Sequence, residues 1–314
     1  MTGPILLVSN SLDLSTDKVV ARLRERQVDY HRLDLDLLAH DEIELDPTEA
    51  LLRWTMGSEG AEFVVTEPAS IWYRAPTHLR ESSGHRYSAE ELLARHQWAA
   101  FARSLVVFER THWVNHPVAT YAAESKAFQL RAAASLGFRV PTTSITNSVS
   151  ACRRLGDPLL VKSLDSFLVR IDPQTDLFFY STPMSTSELE SHSLREMPVV
   201  SQRYFAEKAD VRVTVVGERV FGSEMRGRVE GDWRLHGRTA QFLPSALPVE
   251  MRDMCVEYTR SLGLRYGAID FLRMDDGYTF LEINPTGEWG WLEAVHEGAI
   301  SSALVDELIA GVTA

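Results

Sequence analysis

The fold is decided by one stretch near the C-terminus, Tyr266-Gly-Ala-Ile-Asp270-Phe-Leu-Arg-Met-Asp-Asp-Gly-Tyr-Thr-Phe-Leu-Glu282-Ile-Asn284-Pro285. Two apolar runs flank an Asp-Asp-Gly sequence, which is the pattern of a β-hairpin. With its turn centred on Asp276, the hairpin sets Asp270 opposite Glu282. Because strand side chains alternate between faces, Asn284 shares the face of Glu282.

This register brings two carboxylates and one amide oxygen together. Opposing residues lie about 5 Å apart at Cβ, and like charges at that spacing destabilise a sheet unless a cation compensates them. Oxygen ligands without His or Cys favour Mg²⁺. We therefore predict that Asp270, Glu282 and Asn284 bind Mg²⁺. The alternative is a solvent-facing polar edge of an ordinary hairpin.

Mg²⁺ that is bound by only one or two carboxylates commonly takes phosphate oxygens as further ligands. Phosphates in turn need cationic side chains around them. The chain has no GxxxxGK[ST] motif, so it is not a P-loop protein. Lys162 ends the apolar run Leu159–Lys162, and a lysine in that position must reach a cleft or an anion. Lys126 opens a predicted helix. Taken alone, Lys126 is better explained as a solvated helix lysine.

A strand, a short linker and a second strand are predicted between residues 199 and 213. The linker, Gln202-Arg203-Tyr204-Phe205, can offer backbone groups to an adenine, and Asp210 follows as a ribose-binding acid. Further on, Arg226 and Arg234 suit phosphate or acyl-phosphate oxygens. The alternative for the arginines is a solvated basic loop.

The N-terminal region alternates strands with helices. Strands are predicted at Pro4–Val8, 30–34 and 70–74, with a helix capped by Ser15 running to about Arg26. A meander is predicted at residues 51–55 and 63–66, and a long helix from Ala89 to Phe108. This order predicts a small doubly wound α/β domain. No GxGxxG occurs, so a dinucleotide is not indicated.

Composition narrows the class of partner. Lys plus Arg number 32 and Asp plus Glu 44, for a net charge of −12, which makes a nucleic-acid or membrane-surface binder a poor match. No apolar run approaches the roughly 20 residues that span a bilayer, and no signal peptide is apparent. We expect a cytoplasmic protein with neither nucleic acid nor membrane as partner.

These candidate residues share their order and spacing with a known family. From about residue 115 to 297 the chain resembles the ATP-grasp ligases, on Lys126, Lys162, the 202–205 linker, Asp210, Arg234 and the hairpin. Within that superfamily it looks most like the RimK-like branch. It is similar above all to the microviridin or graspetide macrocyclases, which crosslink ribosomal peptides. The residues that carry this narrower likeness are Trp72–Pro76, Asn115–Pro117, Thr146-Asn147 and Asn284–Trp291.

The resemblance implies a fold, a reaction and ligands. It implies an α/β chain (α+β in the ATP-grasp part), with an N-terminal domain over 1–117, a central lobe over 118–200 and a C-terminal lobe over 201–314. ATP would lie between the lobes, with its α- and β-phosphates on Lys126 and Lys162. The transferring phosphoryl group would lie on Arg226 and Arg234. Lys162 is not followed by the glycine-rich loop common in the family, so that loop receives no role.

Three functions remain open at this point. The first is a ligase that activates Asp or Glu side chains of a precursor peptide, made of leader and core, and closes ester or amide rings. The second is a RimK-like ligase that adds a free amino acid to a protein or small molecule. The third is a nucleotide-binding module without catalysis. The oligomeric state also stays open, a homodimer included.

Overall fold

The computed structural model describes residues 3–57, 60–74, 88–164, 168–172, 175–178, 181–191, 194–227 and 241–313. The strands are β1 Ile5–Ser9, β2 Tyr30–Asp34, β3 Glu42–Asp46, β4 Leu51–Thr55, β5 Glu62–Val65, β6 Ser70–Tyr73, β7 His112–Val114, β8 Thr143–Thr146, β9 Leu159–Lys162, β10 Leu168–Asp172, β11 Thr175–Phe178, β12 Thr182–Met184, β13 Val199–Arg203, β14 Ala209–Val216, β15 Arg219–Met225, β16 Phe242–Pro244, β17 Tyr266–Met274 and β18 Gly277–Asn284. The helices are α1 Leu14–Glu25, α2 Ala89–Ser104, α3 Pro117–Glu124, α4 Lys126–Ser135, α5 Val149–Arg153, α6 Thr186–Ser191, α7 Val249–Ser261 and α8 Ala299–Thr313.

The N-terminal region contains a parallel sheet in the order β2-β1-β6-β7. Every residue of β1 is buried, as its uninterrupted apolar run predicts. A separate antiparallel meander, β3-β4-β5, includes one strand more than the sequence predicted. The predicted cap of α1 is wrong. Asp13, rather than Ser15, is the N-cap, because its carboxylate accepts hydrogen bonds from the free amides of Ser15 and Thr16.

The middle of the chain builds a second antiparallel sheet, β12-β9-β13-β8. A small core of its own holds it to the short helices α5 and α6. The members of that core are Cys152, Leu159, Leu189 and Leu194. The apolar run Leu159–Lys162 forms β9, whereas neither β12 nor α6 was predicted from the sequence.

The C-terminal part is an antiparallel sheet in the order β16-β15-β14-β17-β18. One of its faces packs on α4 and α7 through an aromatic cluster of Phe138, Tyr258, Phe271 and Phe280. Helix α8 contacts β14 of this sheet, and it also contacts α1, β6 and β7 of the N-terminal region.

A single core joins this C-terminal part to the N-terminal sheet. It includes Ile5, Leu7 and Trp72 from the first sheet and Ile300 and Leu304 from α8. The change of sheet near residue 117 is therefore not accompanied by a break in the hydrophobic core.

Two helix predictions need correction. The sequence also predicts an α-helix around Trp291–His296, but the structure has a single 3₁₀ turn there, Gly290–Leu292, followed by turns. Only seven residues separate Gly290 from Gly298, which has a φ of +83° and cannot continue the helix. A segment this short forms too few hydrogen bonds to offset the cost of helix nucleation. The helix that begins at Ala89 is α-helical only to Ser104 and ends in a 3₁₀ turn. No helix within the described ranges has the length and hydropathy needed to cross a bilayer.

An acid on α8 helps to fix this helix against its neighbours. The Glu307 carboxylate lies 3.1 Å from Nε2 of His112 and accepts a 3.0 Å hydrogen bond from the Arg265 guanidinium. The hydrogen bond with His112 lowers the pKa of Glu307, burial raises it, and Arg265 lowers it further, so the net pKa lies below the ordinary 4.5. The group therefore stabilises the fold above about pH 4.5, and this contribution disappears as the pH falls through the depressed pKa.

Replacing Glu307 by Gln is expected to lower the free energy of unfolding by about 2 kcal/mol at neutral pH, the usual contribution of hydrogen bonds to a charged group. Urea unfolding of both proteins from neutral to acidic pH checks this, because the gap must narrow as wild-type Glu307 becomes protonated. The exposed acid Glu218, which pairs with Arg260, provides the control Glu218→Gln. A gap that does not change with pH would contradict the assignment.

Candidate active site

Three charged residues form one row across three neighbouring strands. Arg212 on β14 lies opposite Asp270 on β17, which in turn lies opposite Glu282 on β18. The pairing of Asp270 with Glu282 that the sequence predicted is confirmed. Asn284 lies two residues farther along, opposite Ala268.

A β-bulge, rather than the turn, sets this register. Met274 pairs with Gly277, so the turn is centred one half-residue before Asp276 and would by itself set Asp270 opposite Leu281. The register shifts after the Phe271–Phe280 pair, and Leu281 is the extra residue. Two consecutive side chains of a bulge can share a face. Leu281 and Glu282 both line one cleft, while Phe280 and Ile283 lie in the core.

Two cations compensate the two carboxylates. Nη1 of Arg212 lies 2.8 Å from Oδ1 of Asp270, and Nζ of Lys126 lies 3.1 Å from Oε2 of Glu282. Lys126 is the first residue of α4, and Arg212 is buried. Among the described residues, Nε of Arg212 has no hydrogen-bond partner. The row therefore contains a buried guanidinium with donor capacity left for a ligand.

The row faces an open cleft between β9, β13 and the C-terminal sheet. Part of its wall is apolar, and it includes Leu160, Phe205, Phe242 and Leu281. Lysine and arginine side chains line it as well, namely Lys162, Arg203, Lys208 and Arg212. An apolar wall beside a cationic one suits a ligand with a flat ring at one end and phosphates at the other.

The predicted linker lies along the same cleft. Gln202 is buried and donates a 3.1 Å hydrogen bond from Nε2 to Thr143, while its Oε1 has no partner within the described part of the chain. That oxygen is an acceptor suited to an amino group of a ring. The guanidinium of Arg203 lies 5.6 Å from the ring centre of Phe205. Tyr204 also lines the cleft.

Two further charged residues predicted from the sequence, Asp210 and Lys162, also lie at the cleft. Asp210 lines the cleft and forms an ion pair with the buried Lys208. Lys162 lines the cleft from the end of β9.

The structure does not bring every predicted residue to the cleft. Arg226 is exposed just beyond the end of β15 and does not line it; its backbone N–H donates to the carbonyl of Gln241 at 2.7 Å. Arg234 lies outside the described residues, as does part of the segment that follows Lys162.

The donor set fits a hard divalent cation. The structure is described without ions, and within its described residues no group of three or more His, Cys, Asp or Glu side chains could hold a metal. A cation on the row would rest on Asp270, Glu282 and the amide oxygen of Asn284. This leaves coordination positions for phosphate oxygens and water, as Mg²⁺ prefers.

A second cluster of charges lies just beyond Asn284. The buried Arg74 donates a 2.7 Å hydrogen bond from Nη2 to Glu288 and one of 3.1 Å to the carbonyl of Gly287. Its Nε lies 3.0 Å from the carboxylate of Asp13. Burial raises the pKa of Asp13, but Arg74 and hydrogen bonds from Ser9 and Thr16 outweigh it, so the net pKa is lowered. Residues beside α1 and β6 thus fix the loop that follows β18.

Residues 177–306 match the model of the RimK-like ATP-grasp domain. This range contains the 202–205 linker, the row Arg212–Asp270–Glu282 and Asn284. It does not contain Lys126, the partner of Glu282. The chain contains a RimK-like ATP-grasp domain. Its α/β architecture, with an antiparallel sheet in each lobe, is the ATP-grasp fold that the sequence predicted.

Curated relatives of this chain are named as probable alpha-L-glutamate ligases. One from Xanthomonas oryzae pv. oryzae is 35% identical over 105 residues, which cover 33% of this chain and 35% of the relative. Another from Maridesulfovibrio salexigens is 25% identical over 202 residues, or 62% of this chain and 65% of the relative. The chain therefore spans about a third of the first relative's length and just under two thirds of the second's.

Solved ATP-grasp structures align over nearly the whole chain. The macrocyclase MdnC of Microcystis aeruginosa MRC, solved with a precursor peptide, has a TM-score of 0.83 and 25% identity, covering 98% of this chain and 99% of its own. A ligase of Chryseobacterium gregarium, solved with ADP and a leader and core peptide, has a TM-score of 0.84 and 23% identity over 98% and 96% of the two chains. D-alanine–D-alanine ligase of Bacillus anthracis, at 0.59 and 11% identity, covers 99% of this chain and 98% of its own.

Two cleft residues of the ATP-grasp domain were missed in the sequence, Lys208 and Arg212. Together with Asp210 they occupy every second position, which is the period of one strand face. A polar residue at each alternate position of an otherwise buried strand indicates that these side chains share one face. The prediction from the sequence included only Asp210.

Proposed function

We propose that this chain is an ATP-dependent ligase that activates Asp or Glu side chains of a ribosomal precursor peptide and closes side-chain ester or amide rings. The row Arg212–Asp270–Glu282 at the edge of the cleft carries the proposal, since it combines a metal-binding carboxylate pair with a buried guanidinium. The similarity to peptide-modifying ATP-grasp enzymes over 98% of the chain supports it. A cytoplasmic location, with ATP at hand, is part of the proposal.

Each residue then has a role toward ATP and Mg²⁺. Lys126 and Lys162 would hold the α- and β-phosphates, and Asp270, Glu282 and Asn284 would hold the metal. The linker Gln202–Phe205 would receive the adenine, with Asp210 near the ribose. When bound, Mg²⁺ supplies charge neutralisation and Lewis-acid polarisation of the phosphates.

The arginines act where charge develops. Arg212, placed beside the carboxylate pair, would stabilise the transferring phosphoryl group. Arg226 and Arg234 remain proposed for the same group. A substrate carboxylate attacks the γ-phosphorus and ADP leaves; a hydroxyl or amine of the peptide then attacks the acyl carbon, and phosphate leaves. The net loss is one water per bond formed.

A second candidate is a ligase that adds a free amino acid to a protein or small molecule. The names of the curated relatives favour it, although they match only part of the chain. A nucleotide-binding module without catalysis is the third. It is disfavoured by the metal-binding carboxylates and phosphate-binding lysines, which the chain retains together.

Incubation of the protein with ATP, Mg²⁺ and a candidate precursor peptide is expected to lower the peptide's mass by one water per crosslink. Intact-mass spectrometry measures this, and Glu282→Ala should abolish the loss. A gain of one amino-acid residue in the presence of free amino acids would instead establish the second candidate. An unchanged mass with every acceptor, despite tight ATP binding, would leave only the binding module.

A further inference from the structure

A second, open cleft lies beside the N-terminal end of α1. One side is formed by α1 and the residues before it, with Leu12, Leu14 and Lys18; the other is formed by Glu288 and Trp291 after β18. Leu12, Leu14 and Trp291 are all exposed. This cleft therefore offers apolar contacts beside the carboxylate of Glu288, with Asp13 and Asp17 also in its lining.

Glu288 is held in place by the protein. Its Oε1 accepts hydrogen bonds from the hydroxyl of Ser15 and the N–H of Gly290, and its Oε2 accepts from Arg74. A carboxylate has about four acceptor positions. Within the described contacts one remains, on Oε2, and the side chain is 38% exposed. Glu288 can thus accept one more hydrogen bond, from a ligand in the cleft.

Arg212 connects the residues of the two clefts. It lines the first, where its Nη1 lies on Asp270, and its Nη2 lies 3.5 Å from the backbone carbonyl of Glu288, which lines the second. An acyl-phosphate formed beside Arg212 would have the nucleotide and metal on the side of the first cleft. A nucleophile must then approach from another side, and Glu288 is the residue of the second cleft that contacts Arg212.

We propose that the second cleft binds the acceptor segment of the peptide and that Glu288 positions the attacking hydroxyl. This inference rests on the proposed function. The hydroxyl donates its hydrogen bond to Oε2, its oxygen bonds to the acyl carbon, and the bond from that carbon to the phosphoryl oxygen breaks. Phosphate leaves with the bonding pair and takes up the hydroxyl proton. The products are an ester and hydrogen phosphate.

Ion pairs balance most of the charges that line this cleft. Asp13 and Glu288 share Arg74, Asp17 is paired with Arg32, and Lys18 adds one cation. A Ser or Thr hydroxyl adds no charge to this set, and the inference takes the product to be an ester.

Hydroxylamine separates the two half-reactions, because it captures the acyl-phosphate as a hydroxamate without using the acceptor site. With precursor, ATP and Mg²⁺, Glu288→Gln is expected to form hydroxamate within about threefold of wild type and to close rings about 100-fold more slowly, as expected for a lost positioning contact. The exposed Glu297, farther along the same loop, provides the matched control Glu297→Gln, which should change neither rate.

A second variant tests the cleft without touching the hydrogen bonds of Glu288. Leu14 is 62% exposed, so Leu14→Ser should leave thermal unfolding unchanged and raise the KM for precursor in ring closure. Equal loss of hydroxamate and rings in Glu288→Gln would overturn the inference, since Glu288 would then serve only to position Arg212. Unchanged ring closure in both variants would also overturn it. Wild-type protein that forms neither product would instead refute the proposed function.

Discussion

Replacing Glu282 by Gln is expected to lower ADP formation and ring closure about 1000-fold. The change removes one of two carboxylates from the proposed metal site, and metal-based charge stabilisation contributes several kcal/mol to such reactions. A loss of about 4 kcal/mol corresponds to three factors of ten in rate. The side chain is partly exposed and paired with Lys126, so the fold should survive. Steady-state rates at increasing Mg²⁺ measure both the loss and a higher metal requirement.

The same hairpin supplies the control. Asp276 at the turn is exposed and pairs with Arg139 at 2.7 Å, so Asp276→Asn makes the same chemical change away from the cleft. It should retain wild-type rates. If Glu282→Gln kept a rate within tenfold of wild type at saturating Mg²⁺, the metal assignment would be wrong.

Replacing Arg74 by Met is expected to destabilise the protein by about 3–5 kcal/mol, the usual cost of leaving one partner of a buried ion pair alone. Asp13 is only 3% exposed and would lose its cation. Burial raises the pKa of Asp13, whereas the charge of Arg74 and hydrogen bonds from Ser9 and Thr16 lower it, so that the net pKa is lowered. Wild-type Asp13 stabilises the fold above its ordinary pKa of 3.8, and this contribution is lost as the pH falls through the depressed value. Urea unfolding at neutral and acidic pH should show the deficit shrink in acid.

Two further variants make this result specific. Arg53→Met removes an exposed pair with Glu44 and should cost less than about 1 kcal/mol. Adding Asp13→Asn to Arg74→Met should recover part of the loss, because an amide still caps α1 without a buried charge. A double variant no more stable than Arg74→Met would show that charge burial is not the cause.

Local patterns account for what the sequence predicted well. The hairpin has apolar alternation and turn residues within twenty positions, and β1 is one short apolar run between polar segments. The helix α3 was not predicted although Pro117 stands at its start, an ordinary signal of a helix N-terminus. Its N-cap, His116, is not one of the residues that usually cap helices.

Other features depend on residues far apart in the chain. The contacts between Asp13, Arg74 and Glu288 form only because α1, β6 and the loop after β18 fold together. The spacing of these residues in the sequence does not predict such contacts. The bulge is a different case. Leu281 is as apolar as a core residue, so nothing in its identity says that it lines a cleft. The correct pairing of Asp270 with Glu282 followed from a turn centre that the structure does not have.

The core that joins β1 and β6 to α8 limits how such chains can exchange parts. A recombinant that took its first 117 residues from a homologue would place foreign side chains against Ile300 and Leu304, within one close-packed interior. The segment from β8 to β13 has a separate core around Leu159 and Leu189. Recombination that exchanges this segment alone leaves the shared core and the separate core each made of residues from one parent. The middle of the chain is therefore the part that recombination can exchange with the least disruption of packing.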